Sequence, residues 1–259
     1  MKRIWGYSVS LLVAGTVVGA ALPACATNDQ TIFIRSVLAP SAARVNGLCS
    51  YTGDIAQAAL PEAFLDVGLA DSYFGVLLVG SQLLGRGDPQ NNRAESNRAH
   101  INGGVIRVTE PNGKGIKEFT SVAAGFTDPQ GSNAPDYASV GMVLIDGPTS
   151  EAFRAELKNR KQLKQVLVFV KVFGRTLGGV DVESGEFQLP MQVCNGCLVA
   201  FDGYDPGIDP LKPKPTNCDT PPEKTTGTDG PCRPGQDAAL SCTRCRGQRI
   251  PDVCDPNVP

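Results

Sequence analysis

Residues 166–173 read VLVFVKVF, and this stretch decides the fold class. Valines occupy every second position, at Val166, Val168, Val170 and Val172. Strict alternation of β-branched residues is typical of a strand that buries one face, because successive side chains point to opposite sides of a sheet. The stretch therefore predicts a central β-strand whose valines enter the hydrophobic core.

Segments on both sides of this stretch carry similar strand patterns. These segments are residues 31–38, 73–84, 101–109, 116–123, 137–145, 180–183 and 186–193. Asn112-Gly113 separates two of them and predicts a tight hairpin, and Ser184-Gly185 predicts a turn of the same kind. One short helix is predicted at residues 150–160, just before the valine-rich strand.

Short strands separated by turn residues, with one helix, predict an all-β fold. We expect an antiparallel immunoglobulin- or fibronectin-like sandwich with one short helix and a loop-rich, disulfide-stapled C-terminal tail. A closed barrel is the alternative, because strand order cannot be read from the sequence.

The first 24 residues have the pattern of a secretory signal peptide. Lys2 and Arg3 precede an apolar stretch at residues 8–22, and no acidic residue occurs before Asp29. A basic start followed by a short apolar segment is typical of such signals. The stretch is shorter than the roughly 20 apolar residues that a membrane-spanning helix needs. We therefore expect export and removal of residues 1–24.

Leu22-Pro23-Ala24-Cys25, at the predicted cleavage site, resembles the lipobox of bacterial lipoproteins. The resemblance implies that the Cys25 sulfur carries acyl chains such as palmitate, and that Cys25 becomes the N-terminus. Ala26 replaces the Asp of inner-membrane retention signals, which favours an anchor in the outer membrane, on its periplasmic or its cell-surface face. The alternative is ordinary signal-peptidase cleavage at the A-x-A-like pattern Ala24-Cys25-Ala26.

The composition of the mature chain changes near residue 200. Residues 201–259 contain 11 of the 20 prolines and five of the nine cysteines. Such a segment has too few large apolar residues to build its own core and needs covalent staples. We predict a signal peptide at 1–24, a lipidated tether at 25–30, a β-sandwich domain at 31–200 and a Pro/Cys-rich disulfide tail at 201–259.

Setting Cys25 aside leaves eight of the nine cysteines as disulfide candidates. They are Cys49, Cys194, Cys197, Cys218, Cys232, Cys242, Cys245 and Cys254. An even number of cysteines in an exported protein predicts a disulfide framework. The two C-x-x-C pairs leave a zinc site or a redox motif as alternatives. The 44 residues between the pairs and an oxidising compartment favour structural disulfides.

The distribution of these cysteines predicts a disulfide between the body and the tail. The body holds three of them, Cys49, Cys194 and Cys197, and the tail holds the other five. If all eight are oxidised within one chain, two odd sets cannot each close internally, so at least one disulfide joins body to tail. Either Cys49 forms that link while Cys194 pairs with Cys197, or Cys49 pairs with one of these two and the other reaches the tail.

The net charge argues against a nucleic-acid partner. The full chain carries −2 at pH 7, and removal of residues 1–24 deletes two basic and no acidic residues, which leaves −4. A mildly acidic surface without a basic patch cannot neutralise a row of phosphates. We expect no nucleic acid among the partners.

Three phrases carry a family resemblance: LLVGSQLLGRGD at residues 77–88, VKVFGRTLGGVDVESGEFQLPMQVCNGCL at 170–198, and PCRPGQD at 231–237. They are similar to segments of uncharacterised exported lipoproteins of myxobacteria and related bacteria. The resemblance extends over most of the mature chain and implies a lipid-anchored envelope protein. It implies no activity, because that family has none assigned.

Few residues are candidates for chemistry. His100 is the sole histidine and is expected to be solvated at a loop end rather than part of a catalytic triad. Asp181, Glu183 and Glu186 are expected to solvate a hairpin turn rather than act as paired catalytic carboxylates.

Two polar loops have a functional alternative. Asp202, Asp205 and Asp209 could supply oxygen ligands to calcium, but their spacing matches no calcium loop, so a structural loop is expected. The second loop is rich in arginine and asparagine and is expected to be a solvated connection, with a contact surface for an acidic glycan or partner as the alternative. Its residues are Arg86, Asn91, Asn92, Arg93, Asn97 and Arg98.

These observations favour a non-enzymatic cell-envelope lipoprotein with a structural or binding role. We expect no catalytic residue, no metal and no cofactor, with calcium as the only ion worth testing. The expected partners are the membrane, through the N-terminal lipid, and an envelope protein or glycan. An envelope hydrolase with an unrecognised site and a calcium-dependent adhesin are the alternatives.

Overall fold

The computed structural model describes residues 31–41, 48–131, 134–160, 162–201, 231–245 and 251–254. The predicted signal peptide, the lipidation site Cys25 and the tether lie outside the described residues. Cys218 and the acidic loop with Asp202, Asp205 and Asp209 also lie outside them.

The described residues form β-strands connected mainly by turns, with little helix. The strands are β1 Ile32–Leu38, β2 Ala59–Leu60, β3 Ala63–Asp66, β4 Tyr73–Ser81, β5 Ala99–Thr109, β6 Gly115–Thr127, β7 Asp136–Ile145, β8 Leu163–Thr176, β9 Asp181–Glu183, β10 Phe187–Cys194, β11 Val199–Ala200 and β12 Leu240–Ser241. The helices are α1 Gly147–Glu156 and the single turn α2 Cys242–Cys245, and 3₁₀ turns occur at Pro89–Asn91 and Pro251–Cys254.

The valine-rich strand β8 occupies the middle of the larger sheet, as its pattern predicts. It pairs antiparallel with β5 on one side and with β10 and β9 on the other. Its four alternating valines are fully buried, at 0% exposure. A mostly-β body with one short helix is therefore confirmed.

Two larger sheets contribute to one hydrophobic core. The smaller has the order β2-β1-β4-β7, and the larger has the order β3-β10-β8-β5-β6 with β9 beside β8. The sheets of the protein include a curled half-barrel. Leu77 and Val140 of the smaller sheet belong to the same buried cluster as Ile106 and Val168 of the larger one.

Most strand pairs are antiparallel, but β3 joins β10 in parallel, and the short β11 and β12 are also parallel. The parallel β3 departs from the antiparallel arrangement that we expected. Sequence reasoning missed this strand because it has only four residues, too few for a pattern to be read.

The predicted helix at residues 150–160 is displaced in the structure. Helix α1 begins three residues earlier, because the Asp146 carboxylate caps it by accepting a 3.0 Å hydrogen bond from the Thr149 N–H. Pro148 occupies a first-turn position, where its missing N–H costs no hydrogen bond. The cap sets the start of the helix, and the capping pattern at residues 146–149 is visible in the sequence.

The turn at Ser184-Gly185 is not a hairpin, and that prediction is wrong. Both β9 and β10 pair with β8, so they follow one another along the same side of that strand. The hairpin lies one turn earlier, between β8 and β9, where Gly179 has a φ of 86°. The predicted hairpin at Asn112-Gly113 is confirmed, since it joins β5 to β6.

Neither described helix is long and apolar enough to cross a membrane.

Candidate functional site

The tail docks against the free edge of β3. Residues 231–237, which we call the docking segment, add an antiparallel bridge from Gln236 to Leu65. The Asp66 N–H donates to the Gly235 carbonyl at 2.9 Å, and the Asp237 N–H donates to the Phe64 carbonyl at 3.1 Å. The docking segment thus satisfies backbone groups that an open edge strand would expose.

Asp237 fastens the docking segment to the body. One oxygen of its carboxylate accepts a 2.8 Å hydrogen bond from the Phe64 N–H, and the other accepts one of 2.8 Å from the Tyr73 hydroxyl. Burial raises the pKa of the Asp237 carboxyl, against the opposite effect of these two hydrogen bonds. Burial, together with the neighbouring Asp237 carboxylate, raises the pKa of the Tyr73 phenol.

A disulfide reinforces the same junction. Cys49 of the body is bonded to Cys232 of the docking segment, and 183 positions separate the two in sequence. This bond is a body-to-tail link of the kind that the odd counts of cysteines predict.

A cavity of about 260 Å³ lies between the docking segment and the body. We call it the seam cavity. Its apolar wall includes Leu38, Leu60, Phe74 and Val76, and Tyr51 also lines it. This wall belongs to strands of the smaller sheet and to the loop after β1, and the docking segment forms the opposite side of the seam cavity.

Two charged side chains of the docking segment also line the seam cavity. The Arg233 guanidinium lies 4.1 Å from the centre of the Phe74 ring, a cation–π distance. The Asp237 carboxylate also lines the cavity, and it accepts the hydrogen bond from the Tyr73 hydroxyl. Burial raises the pKa of the Tyr51 phenol, while the charge of Arg233 opposes that rise. The seam cavity therefore combines an aromatic and aliphatic wall with one cation and one half-buried acid.

A second buried carboxylate organises the turn after β10. Asp66 is fully buried and accepts hydrogen bonds from the N–H groups of Gly68 at 2.9 Å, Gly196 at 2.7 Å and Leu198 at 2.9 Å. Burial raises the pKa of the Asp66 carboxyl, whereas these N–H groups and the charge of Arg160 lower it. Asp66 thus holds both sides of a turn that is 130 residues away in sequence.

That turn carries the disulfide Cys194–Cys197. The two sulfur atoms and a carboxylate oxygen of Asp66 lie within 4.8 Å of one another, the spacing of a three-ligand metal site. In the bonded state the sulfurs are not thiolates, and thiolates are the form that binds metal. This cluster is therefore not a ready metal site in the oxidised protein.

The remaining described tail residues pack beside this turn. Cys245 is bonded to Cys254, and Cys242 is also disulfide-bonded. Leu69 of the body joins the buried cluster that these cysteines form, so the tail core is shared with the body.

The acidic residues near β9 take part in salt bridges. Asp181 and Glu183 of β9 make salt bridges to Arg175 at 3.3 Å and to Lys171 at 2.6 Å, both on the neighbouring β8. Glu186, in the turn before β10, pairs with Arg107 of β5 at 2.9 Å. These three ion pairs lie at the surface of the larger sheet.

His100 lies within β5 rather than at a loop end. Its ring stacks on Phe126 of β6, with 4.6 Å between ring centres. The Arg98 guanidinium lies 5.0 Å from the centre of the Phe126 ring. Arg98 also forms a salt bridge of 2.9 Å with Asp128. The histidine therefore packs as part of a side-chain cluster on the sheet surface.

The arginine-rich loop is ordered by its own carboxylates, which sequence reasoning did not single out. Asp88 caps the 3₁₀ turn, and a hydrogen bond from the Asn91 side chain is the main cause that lowers the Asp88 pKa. Glu95 accepts N–H hydrogen bonds from Asn97, Gly87 and Arg86, which lower the pKa of Glu95. The loop therefore connects two strands, and carboxylates of the loop itself accept hydrogen bonds from its backbone N–H groups.

Neither a protein-family model nor a curated protein matches this chain. The fold and sites define the class on their own: a mostly-β, disulfide-linked body whose C-terminal segment closes a small cavity. Sequence reasoning missed Asp66 and Asp237 because each acts through partners far away in the chain. The PCRPGQD phrase contains Asp237 and was the one available signal.

Proposed function

We propose that this protein is an exported, non-enzymatic lipoprotein of the outer membrane that binds another envelope protein. Support for export comes from the signal-like residues 1–24 and from disulfides, which are rare in reducing compartments. Support for the anchor comes from the lipobox-like residues before Cys25 and from the resemblance to exported lipoproteins.

We infer that the seam cavity is the binding site. Its volume of about 260 Å³ falls below the roughly 300–1,000 Å³ of most small-molecule pockets. A cavity of this size suits one or two side chains of a protein partner better than a whole ligand. Interfaces of that kind are commonly anchored by an apolar or aromatic side chain that enters a pocket.

The single observation that carries this proposal is the mixed lining of the seam cavity. Phe74 and Val76 offer apolar contact, while the Arg233 side chain, which is exposed, can meet a carboxylate at the rim. The partner segment that fits is therefore an apolar side chain next to an acidic residue. A glycan fits less well, because three polar side chains of the lining, Tyr73, Gln236 and Asp237, already make hydrogen bonds within the protein.

The way in which the two larger sheets pack is also a proposal. We infer that the two larger sheets form an immunoglobulin- or fibronectin-like sandwich, supported by the core that they share. The parallel β3 is then an addition at one edge. A crystal structure in which the two sheets close into one barrel would contradict this grouping.

The binding proposal is tested by filling the cavity. Val76→Phe adds bulk at a buried position of the cavity wall, and Val122→Phe places the same ring at a position that is 83% exposed on β6. Because overpacking can destabilise a core, urea unfolding must show that V76F is folded. Envelopes of cells that produce each variant are crosslinked, and the proteins captured with it are identified. We expect V76F to lose a partner that the wild type and V122F retain. Equal capture by all three proteins would overturn the proposed site.

A further inference from the structure

The disulfide Cys194–Cys197 closes a much shorter loop than the other described disulfides. Only three positions separate its cysteines in sequence, against 183 for Cys49–Cys232. The stabilisation that a disulfide gives by restricting the unfolded chain grows with the length of the loop it closes. By restricting the unfolded chain, Cys194–Cys197 therefore stabilises the fold less than the other described disulfides do.

The turn around this disulfide is held by other contacts. Asp66 binds the N–H groups of Gly196 and Leu198, and the Val67 N–H donates to the Cys194 carbonyl at 2.8 Å. The Asn195 side chain donates to the Leu157 carbonyl at 2.9 Å. None of these contacts involves a sulfur atom, so the turn keeps its support when the S–S bond opens.

The two sulfurs are not equivalent. Cys194 is 1% exposed, whereas Cys197 is only partly buried. Cys197 is therefore the more accessible of the two residues to an incoming thiolate, and attack there would make Cys194 the departing sulfur. Exchange proceeds by such an attack on one sulfur, and the other departs as a thiolate.

We propose that Cys194–Cys197 is a thiol–disulfide exchange site, in which Cys197 is attacked by the thiolate of a partner dithiol and Asp66 supplies the proton that the departing Cys194 sulfur takes up. The attack forms a mixed disulfide between the partner and Cys197 and breaks the Cys194–Cys197 bond. The second thiol of the partner then loses its proton and attacks the partner's own sulfur in the mixed disulfide, and Cys197 leaves as a thiolate that takes up that proton. Two electrons pass from the partner dithiol, which becomes a disulfide, to Cys194 and Cys197, which become thiols.

Asp66 is the buried carboxyl beside the two sulfurs. One of its oxygens lies within 4.8 Å of both sulfur atoms, a separation that movement of the freed Cys194 sulfur must shorten before a proton can pass. Burial raises the pKa of Asp66, against the opposite effect of its three N–H hydrogen bonds and of the charge of Arg160, and the net shift is towards the protonated form that the step needs. Asp66 is a positioning residue for the turn and a proton donor for the exchange.

The first test compares the disulfides within one protein. The exported protein, with its disulfides intact, is equilibrated at pH 7 in mixtures of reduced and oxidised glutathione, and free thiols are then alkylated and located by mass spectrometry. We expect Cys194 and Cys197 to be alkylated while Cys49–Cys232 and Cys245–Cys254 stay bonded, because structural disulfides resist the glutathione pool. Opening of Cys194–Cys197 only together with the other two bonds would overturn the proposal.

The second test asks which sulfur is attacked. Cys194→Ser leaves Cys197 alone, and Cys197→Ser leaves Cys194 alone. We expect C194S to form a mixed disulfide with added oxidised glutathione at least about tenfold faster than C197S, in line with the burial of Cys194. Equal rates, or a faster reaction of C197S, would contradict the assigned direction of attack.

The third test concerns Asp66. We expect Asp66→Asn to slow reduction of Cys194–Cys197 by about 10²-fold and to flatten the dependence of the rate on pH, as loss of a general acid does. Protection of the β8 amides from hydrogen exchange serves as the check that D66N is folded. An unchanged pH profile in the folded variant would remove Asp66 from the exchange.

Discussion

The Tyr73 hydroxyl donates a 2.8 Å hydrogen bond to the Asp237 carboxylate, across 164 positions of sequence. Tyr73 begins a central strand of the body, and Asp237 ends the docking segment of the tail. The bond thus ties the tail to the body beside the seam cavity, where both residues are part of the lining.

Loss of this bond should loosen the docked tail. A hydrogen bond to a charged group contributes about 1.5–3 kcal/mol, so we expect Tyr73→Phe to lower the free energy of unfolding by roughly that amount. Asp237→Ala should cost more, because it also leaves the Phe64 N–H without its acceptor. Urea unfolding measures both variants and the double variant. Costs that add independently in the double variant would show that the two residues do not interact.

The body-to-tail disulfide should hold the tail more than the body. Replacing Cys49 and Cys232 together by Ser removes a link that closes a long loop, and we expect a loss of about 2–4 kcal/mol in stability. The docking segment should become sensitive to limited proteolysis, while amides of β8 keep their protection from hydrogen exchange. Uniform loss of protection across the body would mean that the disulfide supports the whole fold instead.

The buried Asp66 should make stability depend on pH in a definite direction. Its pKa is raised in the folded protein above the ordinary 3.8, so the folded state holds the proton more tightly than the unfolded chain does. This contribution is fully present below pH 3.8 and is lost as the pH rises through the folded pKa. We therefore expect wild type to lose stability relative to Asp66→Asn as the pH rises from 3.8. Parallel stability curves for the two proteins would contradict the shift.

The proposed anchor rests on Cys25, which lies outside the described residues. We expect Cys25→Ser to abolish incorporation of labelled palmitate and to release the protein from membranes, because the thiol is the site of acylation in lipobox proteins. Cys49→Ser is the matched control, since it removes a cysteine of the body and leaves the lipobox intact. Equal labelling of C25S and wild type would refute the lipobox interpretation.

Local pattern was sufficient to predict β-structure. The alternation from Val166 to Val172 depends only on neighbouring residues, and the positions of β1, β4, β5 and β7 follow from similar runs. The hairpin at Asn112-Gly113 was predictable for the same reason, because Gly113 adopts a φ of 86° that favours glycine. The predicted start of α1 is three residues too late, although its cap is local, because the prediction did not include Asp146 as the N-cap.

The pairing of distant segments was not predictable. The sequence places Ser184-Gly185 between two strand-like runs, but whether those runs pair with each other or both with β8 depends on the sheet that receives them. β3 has four residues and is recognisable only through its partner β10 and the docking segment that covers its other edge.

By itself, the sequence determined the β-rich class, the valine face of β8 and, through the odd counts of cysteines, the requirement for a link between body and tail in a fully oxidised chain. Tertiary structure alone decided that Cys49 and Cys232 form such a link, that Asp66 lies beside Cys194–Cys197, and that Asp237 meets Tyr73. The physical reason is range: alternation and turn chemistry act between neighbours, whereas a buried carboxylate is satisfied by whichever donors the packed sheets bring to it, here from residues 130 and 164 positions away.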